Sequence, residues 1–301
     1  IFRMINCIKY LIFASLLFPE GIVNAQEEKT YTIFSTGNVS GGIMDTAILS
    51  QWRSQAGRME DFAVLLAGNA ADIQTAQIPG ELLLNESHPL LIAPGKAEWA
   101  GGSRQGKDFI KKLIGDLSGK INNPLFFPEE ACPGPAEVVL SDHLVVILLD
   151  TWWWVHKYDR RFNKCGIEDR GDILIQIEDA IRRHYDDMHV VVAGYHSLKS
   201  YGNTSGHFSS EQWLGQFPYT FYRKLPGTRH DIQHPDFKDF RNSLLSVLKK
   251  YPDVVYLSAG EANLQYFHEG NTHFVISGSW QGREYVRKDL PEFGSDEKGF
   301  V

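Results

Sequence analysis

Short, uninterrupted apolar runs are the feature of this sequence that most restricts its fold. Seven runs of four to six residues, rich in Val, Ile and Leu, recur along the chain at 31–34, 62–66, 90–93, 144–149, 190–193, 254–257 and 273–276. Runs of this length, with Gly or Pro directly after several of them, are typical of strands buried on both faces. We therefore predict a set of buried central strands.

Amphipathic patterns lie between these runs and predict helices. Apolar residues are spaced by three and four at 44–55, 107–117, 169–186 and 237–251. The alternation of strand and helix predicts a layered α/β domain. Because crossovers in such domains are right-handed and sites lie beyond the carboxyl ends of strands, chemistry is expected in the residues that follow each strand.

Length and charge narrow the class of protein. The chain has 301 residues, of which 43% are hydrophobic, so it can bury a large core, and we expect a single domain. Its formal net charge is -7 and its pI is about 5.9. Binding to nucleic-acid phosphates needs clustered Lys and Arg in excess, so we expect no nucleic-acid partner.

Residues 1–25 are predicted to be a signal peptide. Basic residues lead into an apolar stretch at 10–18, and small residues precede a cleavage site at Gln26. The alternative, a membrane anchor, is disfavoured because this stretch is far shorter than the roughly 20 residues of a spanning helix. We expect export, a mature chain that does not span the membrane, and one domain at 26–301. The end at Val301, directly after a polar segment, favours a domain truncated at its C-terminal end.

Two cysteines remain after removal of the signal peptide, Cys132 and Cys165. An even number of cysteines in an oxidising compartment favours one disulfide. The alternative is two free, buried thiols. Both cysteines are flanked by turn-forming residues and lack the paired spacing of a zinc knuckle, so a sulfur-bound metal ion is not expected.

Loops after three of the predicted strands resemble the motifs of a known family. Leu66-Ala67-Gly68-Asn69-Ala70 and Ala93-Pro94-Gly95-Lys96-Ala97-Glu98-Trp99 resemble the Gly-Asp-Asn and Pro-Gly-Asn-His-Asp-Trp motifs of the calcineurin-like metallophosphoesterases. The segment 258–266 resembles their Ser-Gly-His-Glu-His-Asn-Leu-Gln-Tyr motif. The resemblance extends from Tyr31 to about Arg283, and is greatest to a secreted branch found in Bacteroidetes-type bacteria.

This resemblance implies a fold, a cofactor and a compartment. The implied fold is a layered α/β/β/α sandwich with mixed central sheets. The family would use two divalent metal ions, which need carboxylate, amide and imidazole ligands from several loops. Long members of the family continue into outer-membrane regions, so the resemblance also implies a periplasmic or outer-membrane-associated protein with an envelope or outer-membrane protein as a candidate partner.

The metal-binding residues of the family are replaced in this chain. The positions that match its ligands and its phosphate-facing His carry Asn38, Asn69, Lys96, Ala97, Tyr195, Gly260 and Ala262. Asn69 corresponds to the bridging Asp, and a neutral amide binds hard cations poorly. Lys96 brings a positive charge towards the place of a metal ion. We therefore expect vestigial metal-site positions, with no metal ion, no cofactor and no catalytic residue.

Residues beside these positions are candidate pocket residues. They are Glu98, His196, Thr204, Glu261 and Asn263. Glu98 corresponds to an Asp of the family and Thr204 to a His, whereas Glu261 and Asn263 match the family residues. His196 also matches, but a single buried His is more often a hydrogen-bonded core residue than a ligand.

Loss of the ligands beside a retained scaffold favours a pseudoenzyme. A pocket without cations cannot keep clustered carboxylates unless their pKa values rise, and neutral residues remove that cost. We predict an exported binding or envelope-assembly module whose ligand and oligomeric state stay open. The alternatives are decay of an unused gene and deliberate redesign of the sequence. Decay should also damage glycines, core residues and cysteines, which are intact.

Two alternatives keep a functional site. One is a phosphoric-ester hydrolase with an altered, one-metal site formed by Asp72, Glu98, Glu261 and His196. Such hydrolysis requires upward of about 20 kcal/mol of catalysis, and removal of most ligands removes its main source. The other is a non-hydrolysing binder of phosphate or sugar phosphate, in which Lys96, Tyr195 and His196 hold the anion.

Overall fold

The structure is a computed structural model that describes residues 30–39, 45–72, 77–83, 87–158, 165–210, 212, 229 and 231–301. Residues 31–301 form one compact unit. The predicted signal peptide lies outside the described residues. In the described part of the chain, no helix combines the length and the apolar character needed to cross a membrane.

The first half of the unit forms a four-stranded parallel sheet. Its strands lie in chain order and are β1 (Thr32–Thr36), β2 (Phe62–Leu66), β3 (Leu90–Ile92) and β4 (Leu125–Phe126). Helix α1 (Thr46–Ala56) follows β1, and helix α2 (Gly106–Ser118) follows β3. Asp45 caps α1 because its carboxylate accepts the Ala47 N–H at 3.1 Å, which satisfies a free backbone donor of the first turn.

The second half forms a seven-stranded mixed sheet. Its strands are β5 (Ala136–Ser141), β6 (Leu144–Leu148), β7 (His189–Ala193), β8 (Val255–Ser258), β9 (Leu264–Glu269), β10 (Thr272–Ser277) and β11 (Phe293–Ser295). Their order is β11-β9-β10-β8-β7-β6-β5, with the four central strands parallel and the other three antiparallel to their neighbours. The accompanying helices are α3 (Trp152–Val155), α4 (Arg170–His184) and α5 (Pro235–Leu248).

Side-chain alternation along the strands builds the layers. On β6, Val146 and Leu148 belong to the core between the two sheets, whereas Val145 and Ile147 belong to the core that includes α4 and α5. A third core joins α1 and α2 to the outer face of the four-stranded sheet. The unit is therefore an α/β/β/α sandwich, as predicted, with one sheet entirely parallel and the other mixed.

The structure confirms the seven predicted strands and four predicted helices, with ends that differ by a few residues. It adds strands β4, β5, β9 and β11, and the Trp-rich helix α3. Two of the added strands are only two and three residues long, and β5 has a single buried residue, Val138. These strands lack the continuous apolar run on which the prediction depended.

Cys132 and Cys165 form the predicted disulfide, with Cα atoms 5.6 Å apart. The bond joins the segment before β5 to the segment before α4, across a sequence separation of 33 residues. Closing a loop of this length stabilises the folded chain by about 3–4 kcal/mol in the chain-entropy estimate.

Candidate functional site

The carboxyl ends of the central strands bring together three of the positions that the sequence analysis predicts to be vestigial metal-site positions. Asn38 follows β1, Asn69 follows β2 and Tyr195 follows β7. Asn38 and Asn69 adopt left-handed backbone conformations, with φ of 50° and 53°. Asn tolerates this conformation better than most residues, so both loops can turn sharply and direct their amides to the same point.

Hydrogen bonds join these residues into one neutral network. The Asn69 Nδ2 group donates to Asn38 Oδ1 at 2.7 Å and to the Tyr195 hydroxyl at 3.0 Å. The Asn69 Oδ1 atom accepts from the backbone N–H of Ala97 at 2.9 Å. The Asn38 Nδ2 group donates to the carbonyl of Ala259, at the end of β8, at 2.8 Å. Both amides therefore have protein partners on both of their polar atoms.

The ring of Tyr195 fills the space between two loops. A Cβ atom added to Gly68 would lie 2.3 Å from this ring, and one added to Gly95 would lie 2.6 Å from it. Only glycines at these two positions allow the ring to pack there. Tyr195 is 1% exposed, and burial raises the pKa of its hydroxyl well above the ordinary value, so it stays protonated.

Glu98 holds the loops around the Asn69 backbone. Its Oε1 atom accepts the N–H groups of Ala70 and Ala71 at 2.8 and 2.9 Å. Its Oε2 atom accepts those of Asn69 and Gly95 at 2.9 and 2.8 Å. A carboxylate has about four lone-pair sites, and these four donors use them. Glu98 therefore acts as a buried clamp between the loops after β2 and β3.

His196 is hydrogen-bonded at both ring nitrogens. Its Nδ1 atom lies 3.0 Å from Thr151 Oγ1, and its Nε2 atom lies 3.0 Å from the Arg229 carbonyl. A carbonyl can only accept, so Nε2 carries the proton and Nδ1 accepts from the Thr151 hydroxyl. The ring also stacks on Trp152, with 6° between the planes and 5.5 Å between centroids. This environment is that of a hydrogen-bonded core histidine.

Three candidate pocket residues form a second buried network. Glu261 is 1% exposed and accepts from the Thr204 hydroxyl and from Asn263 Nδ2, the latter at 3.1 Å. Gln265 Nε2 donates to Asn263 Oδ1 at 2.7 Å and thereby extends the network into β9. Burial raises the pKa of Glu261 to about 7, although the hydrogen bonds to its carboxylate oppose the rise.

The remaining vestigial positions carry no ligating side chain. At Gly260, an added Cβ atom would lie 2.7 Å from the Tyr195 carbonyl, so a bulkier residue does not fit without a shift. At Ala262, the backbone N–H donates to Glu284 Oε2 at 2.8 Å. Lys96 is half-buried, and none of the ion pairs among the described residues involves it.

Asp150 is a buried acid near the site. The sequence analysis did not select it as a candidate residue. It lies two residues after the end of β6, and its carboxylate accepts the Trp99 Nε1–H at 2.7 Å and the Trp153 backbone N–H at 3.0 Å. Burial raises its pKa to about 8, with the Glu98 charge adding to the rise. Its position at a strand end was the available signal.

The residues at this site do not fit a pair of metal ions. Asn38, Asn69, Glu98 and His196 use their polar atoms in hydrogen bonds to protein groups. Within the described ranges, no three His, Cys, Asp or Glu side chains form a group that could hold a metal ion. The hypothetical one-metal site of Asp72, Glu98, Glu261 and His196 is thus not assembled.

The proposed anion site of Lys96, Tyr195 and His196 is also not open in this structure. Tyr195 and His196 are 1% and 2% exposed, and their hydrogen-bonding atoms already have protein partners. Lys96 is the member of this trio that retains solvent access. An anion could therefore contact Lys96 without reaching the other two side chains.

Comparison with known proteins places the fold but not a function. No protein-family model and no curated protein matches the sequence. Among solved structures, GAP50, described as the anchor in the inner membrane complex of Plasmodium, is similar with a TM-score of 0.57 and 14% identity over 89% of this chain and 78% of that chain.

A dimetal phosphatase from Danio rerio is also similar, with a TM-score of 0.51 and 10% identity over 88% of this chain and 96% of that chain. At such low identity, the likeness reports on architecture alone. The chain therefore has a metallophosphoesterase-type fold.

Proposed function

We propose that this chain is a pseudoenzyme, a binding module built on a metallophosphoesterase-type fold that holds no catalytic metal ions. The observation that carries the proposal is the neutral network of Asn38, Asn69 and Tyr195, with the Tyr195 ring packed between Gly68 and Gly95. This network occupies the region where the carboxyl ends of the strands meet. A two-metal centre at that place would need carboxylates and imidazoles.

The energetics of the site support the same proposal. Metal binding would require Asn69 and Glu98 to give up hydrogen bonds that tie together the loops after β2 and β3. Unsatisfied buried backbone donors cost about 1–3 kcal/mol each. The neutral amides available as ligands would contribute less binding free energy to a hard cation than a carboxylate does.

We also propose that the chain belongs to the secreted, Bacteroidetes-type branch of the calcineurin-like metallophosphoesterases and acts in the cell envelope. The disulfide supports an oxidising compartment, because such bonds rarely persist in the cytosol. Residues 1–25 would direct export of a domain at 26–301. A role other than catalysis has a parallel in this fold, since one similar protein is described as the anchor in an inner membrane complex.

A hydrolysis assay tests the proposal. Purified protein is incubated with p-nitrophenyl phosphate and bis(p-nitrophenyl) phosphate in Mn²⁺, with the Danio rerio dimetal phosphatase as the positive control. We expect no turnover above the blank. Turnover that disappears in His196→Gln, a variant of the hypothetical one-metal site, would overturn the proposal. Equal turnover in the wild-type protein and in His196→Gln would identify a co-purified phosphatase and would leave the proposal standing.

A further inference from the structure

An exposed aromatic surface lies on the strands β9, β10 and β11. Phe293 on β11 is directly opposite Tyr266 on β9, so the two side chains share a face of the sheet. Val275 on β10 is opposite Tyr266, and His273 lies two residues before it, hence on that face too. Phe293 is 53% exposed and Tyr266 is 36% exposed.

Two of these rings are hydrogen-bonded to each other and lie in nearly parallel planes. The Tyr266 hydroxyl lies 3.0 Å from His273 Nδ1, and the planes of the two rings differ by 8° with centroids 6.1 Å apart. Tyr266 and His273 are diagonal neighbours on adjacent strands, so this bond restricts the orientation of the Tyr266 side chain. The exposed Tyr266 ring is therefore available at the surface in a restricted set of orientations.

Charged and polar groups surround the rings. His268 lies opposite His273, and its ring and backbone N–H both bond the Glu292 carboxylate. The second ring nitrogen of His273, Nε2, lies 3.8 Å from Asp253 Oδ1. The surface therefore combines flat aromatic faces with hydrogen-bonding groups at its perimeter. We call Tyr266, His273 and Phe293 the aromatic platform.

We propose that the aromatic platform binds carbohydrate, with a pyranose ring stacked on Tyr266 and Phe293. The C–H groups on one face of a pyranose carry partial positive charge and pack against the negative face of an aromatic ring. The sugar hydroxyls around that face would hydrogen-bond the carboxylates and imidazoles at the perimeter.

The size of the platform favours a sugar over a protein. An aromatic side chain can bury about 150–250 Å², so the three partly exposed rings offer on the order of 250 Å². A stable protein interface buries about 800 Å² on each partner. The charged pairs around the rings would also be costly to cover with an apolar protein surface.

This inference goes beyond the proposed pseudoenzyme function. The platform contains none of the seven vestigial metal-site positions and would bind sugar whether or not metal ions bind elsewhere. A failure of carbohydrate binding would therefore leave the proposal of a metal-free site intact, and the reverse also holds.

Affinity gel electrophoresis tests the inference. The protein is run in native gels that contain dextran, starch, laminarin, xylan or galactomannan, next to gels without polysaccharide. We expect retardation in at least one gel, with the association constant reduced at least about tenfold in Tyr266→Ala and in Phe293→Ala, a loss of about 1.4 kcal/mol. Tyr158→Ala is the matched control because Tyr158 is 37% exposed and lies outside the platform.

Three outcomes would overturn the inference. The first is mobility that no polysaccharide changes. The second is retardation that Tyr266→Ala and Phe293→Ala leave unchanged, with thermal unfolding used to verify that both variants are folded. The third is a dimer in sedimentation velocity that dissociates in Tyr266→Ala, which would assign the platform to self-association.

In Tyr266→Phe, which keeps the ring but loses the bond to His273, we expect an intermediate association constant.

Discussion

Replacement of Asn69 by Asp is the most informative perturbation of the site, because it introduces the charge that the family resemblance predicts for a metal-bridging ligand at this position. In the structure, Asn69 Nδ2 donates to Asn38 Oδ1 at 2.7 Å. In Asn69→Asp, the ionised carboxylate would place an oxygen against that oxygen instead. Asn38 cannot reverse its amide, because its Nδ2 donates to the Ala259 carbonyl at 2.8 Å. The bond between Asn69 and Asn38 is therefore not recovered in the variant.

The magnitude follows from the bond that is not recovered. A buried polar group left without a partner costs about 1–3 kcal/mol, and more when it is charged. We therefore expect Asn69→Asp to lower the free energy of unfolding by about 2–3 kcal/mol near pH 8. Repulsion by Asn38 Oδ1 and the Glu98 carboxylate raises the pKa of the introduced carboxyl group in the folded state. The stability of the variant is therefore retained below the unfolded pKa of about 3.9 and is lost as the pH rises through the folded value.

Urea denaturation of wild type and Asn69→Asp at about pH 5 and about pH 8 measures this effect. The difference between the two proteins should increase with pH. Asn69→Ala is the first control, since it removes the amide without adding a charge and should cost the same at both pH values. Asn271→Asp, at an exposed turn position, is the second and should be near neutral. An Asn69→Asp protein as stable as wild type at pH 8, or one stabilised by Mn²⁺, would refute the reasoning.

Three further predictions concern the stability of the fold. Removing the Cys132–Cys165 disulfide by a double Ser substitution should lower the free energy of unfolding by about 3–4 kcal/mol in urea denaturation; a loss below about 1 kcal/mol would show that the bond constrains little. Gly68→Ala should cost about 2 kcal/mol or more in thermal unfolding, because φ is +90° and the new methyl group meets the Tyr195 ring, and an unchanged midpoint would contradict the packing described. The pKa of Glu261 is about 7 in the folded protein, against an ordinary value of 4.5. The protonated carboxyl group therefore contributes about 3 kcal/mol to the free energy of unfolding, which is fully present below pH 4.5 and lost as the pH rises through 7. Glu261→Gln should therefore flatten the fall in stability between pH 5 and pH 8, and an equal slope in both proteins would argue against this cause.

The strands that sequence predicts well are those whose whole length is buried. β2 is an example, because all five residues from Phe62 to Leu66 are buried and form one apolar run. β9 shows why others are missed. Gln265 is a buried polar residue on this strand, satisfied by Ser200 and Asn263, whereas Tyr266 is apolar in part and exposed. At these two positions the strand reverses the usual relation between polarity and burial.

The site shows a similar division. The sequence predicts which positions correspond to metal ligands, because the loops after predictable strands resemble the motifs of a known family. It does not reveal that the Tyr195 ring packs between Gly68 and Gly95, or that Glu98 accepts four backbone N–H groups. Both arrangements join loops that are distant in the chain, and their geometry depends on the register of the strands in the two sheets.

Metal content is the measurement that tests the central claim most directly. The protein is equilibrated with Mn²⁺, Zn²⁺ and Ca²⁺ in turn, separated from free ions by gel filtration, and analysed by inductively coupled plasma mass spectrometry. The neutral, fully hydrogen-bonded network of Asn38, Asn69 and Tyr195 predicts far less than one ion per chain for each metal. A content of one or two ions per chain, lost on Glu98→Gln or His196→Gln, would contradict the account.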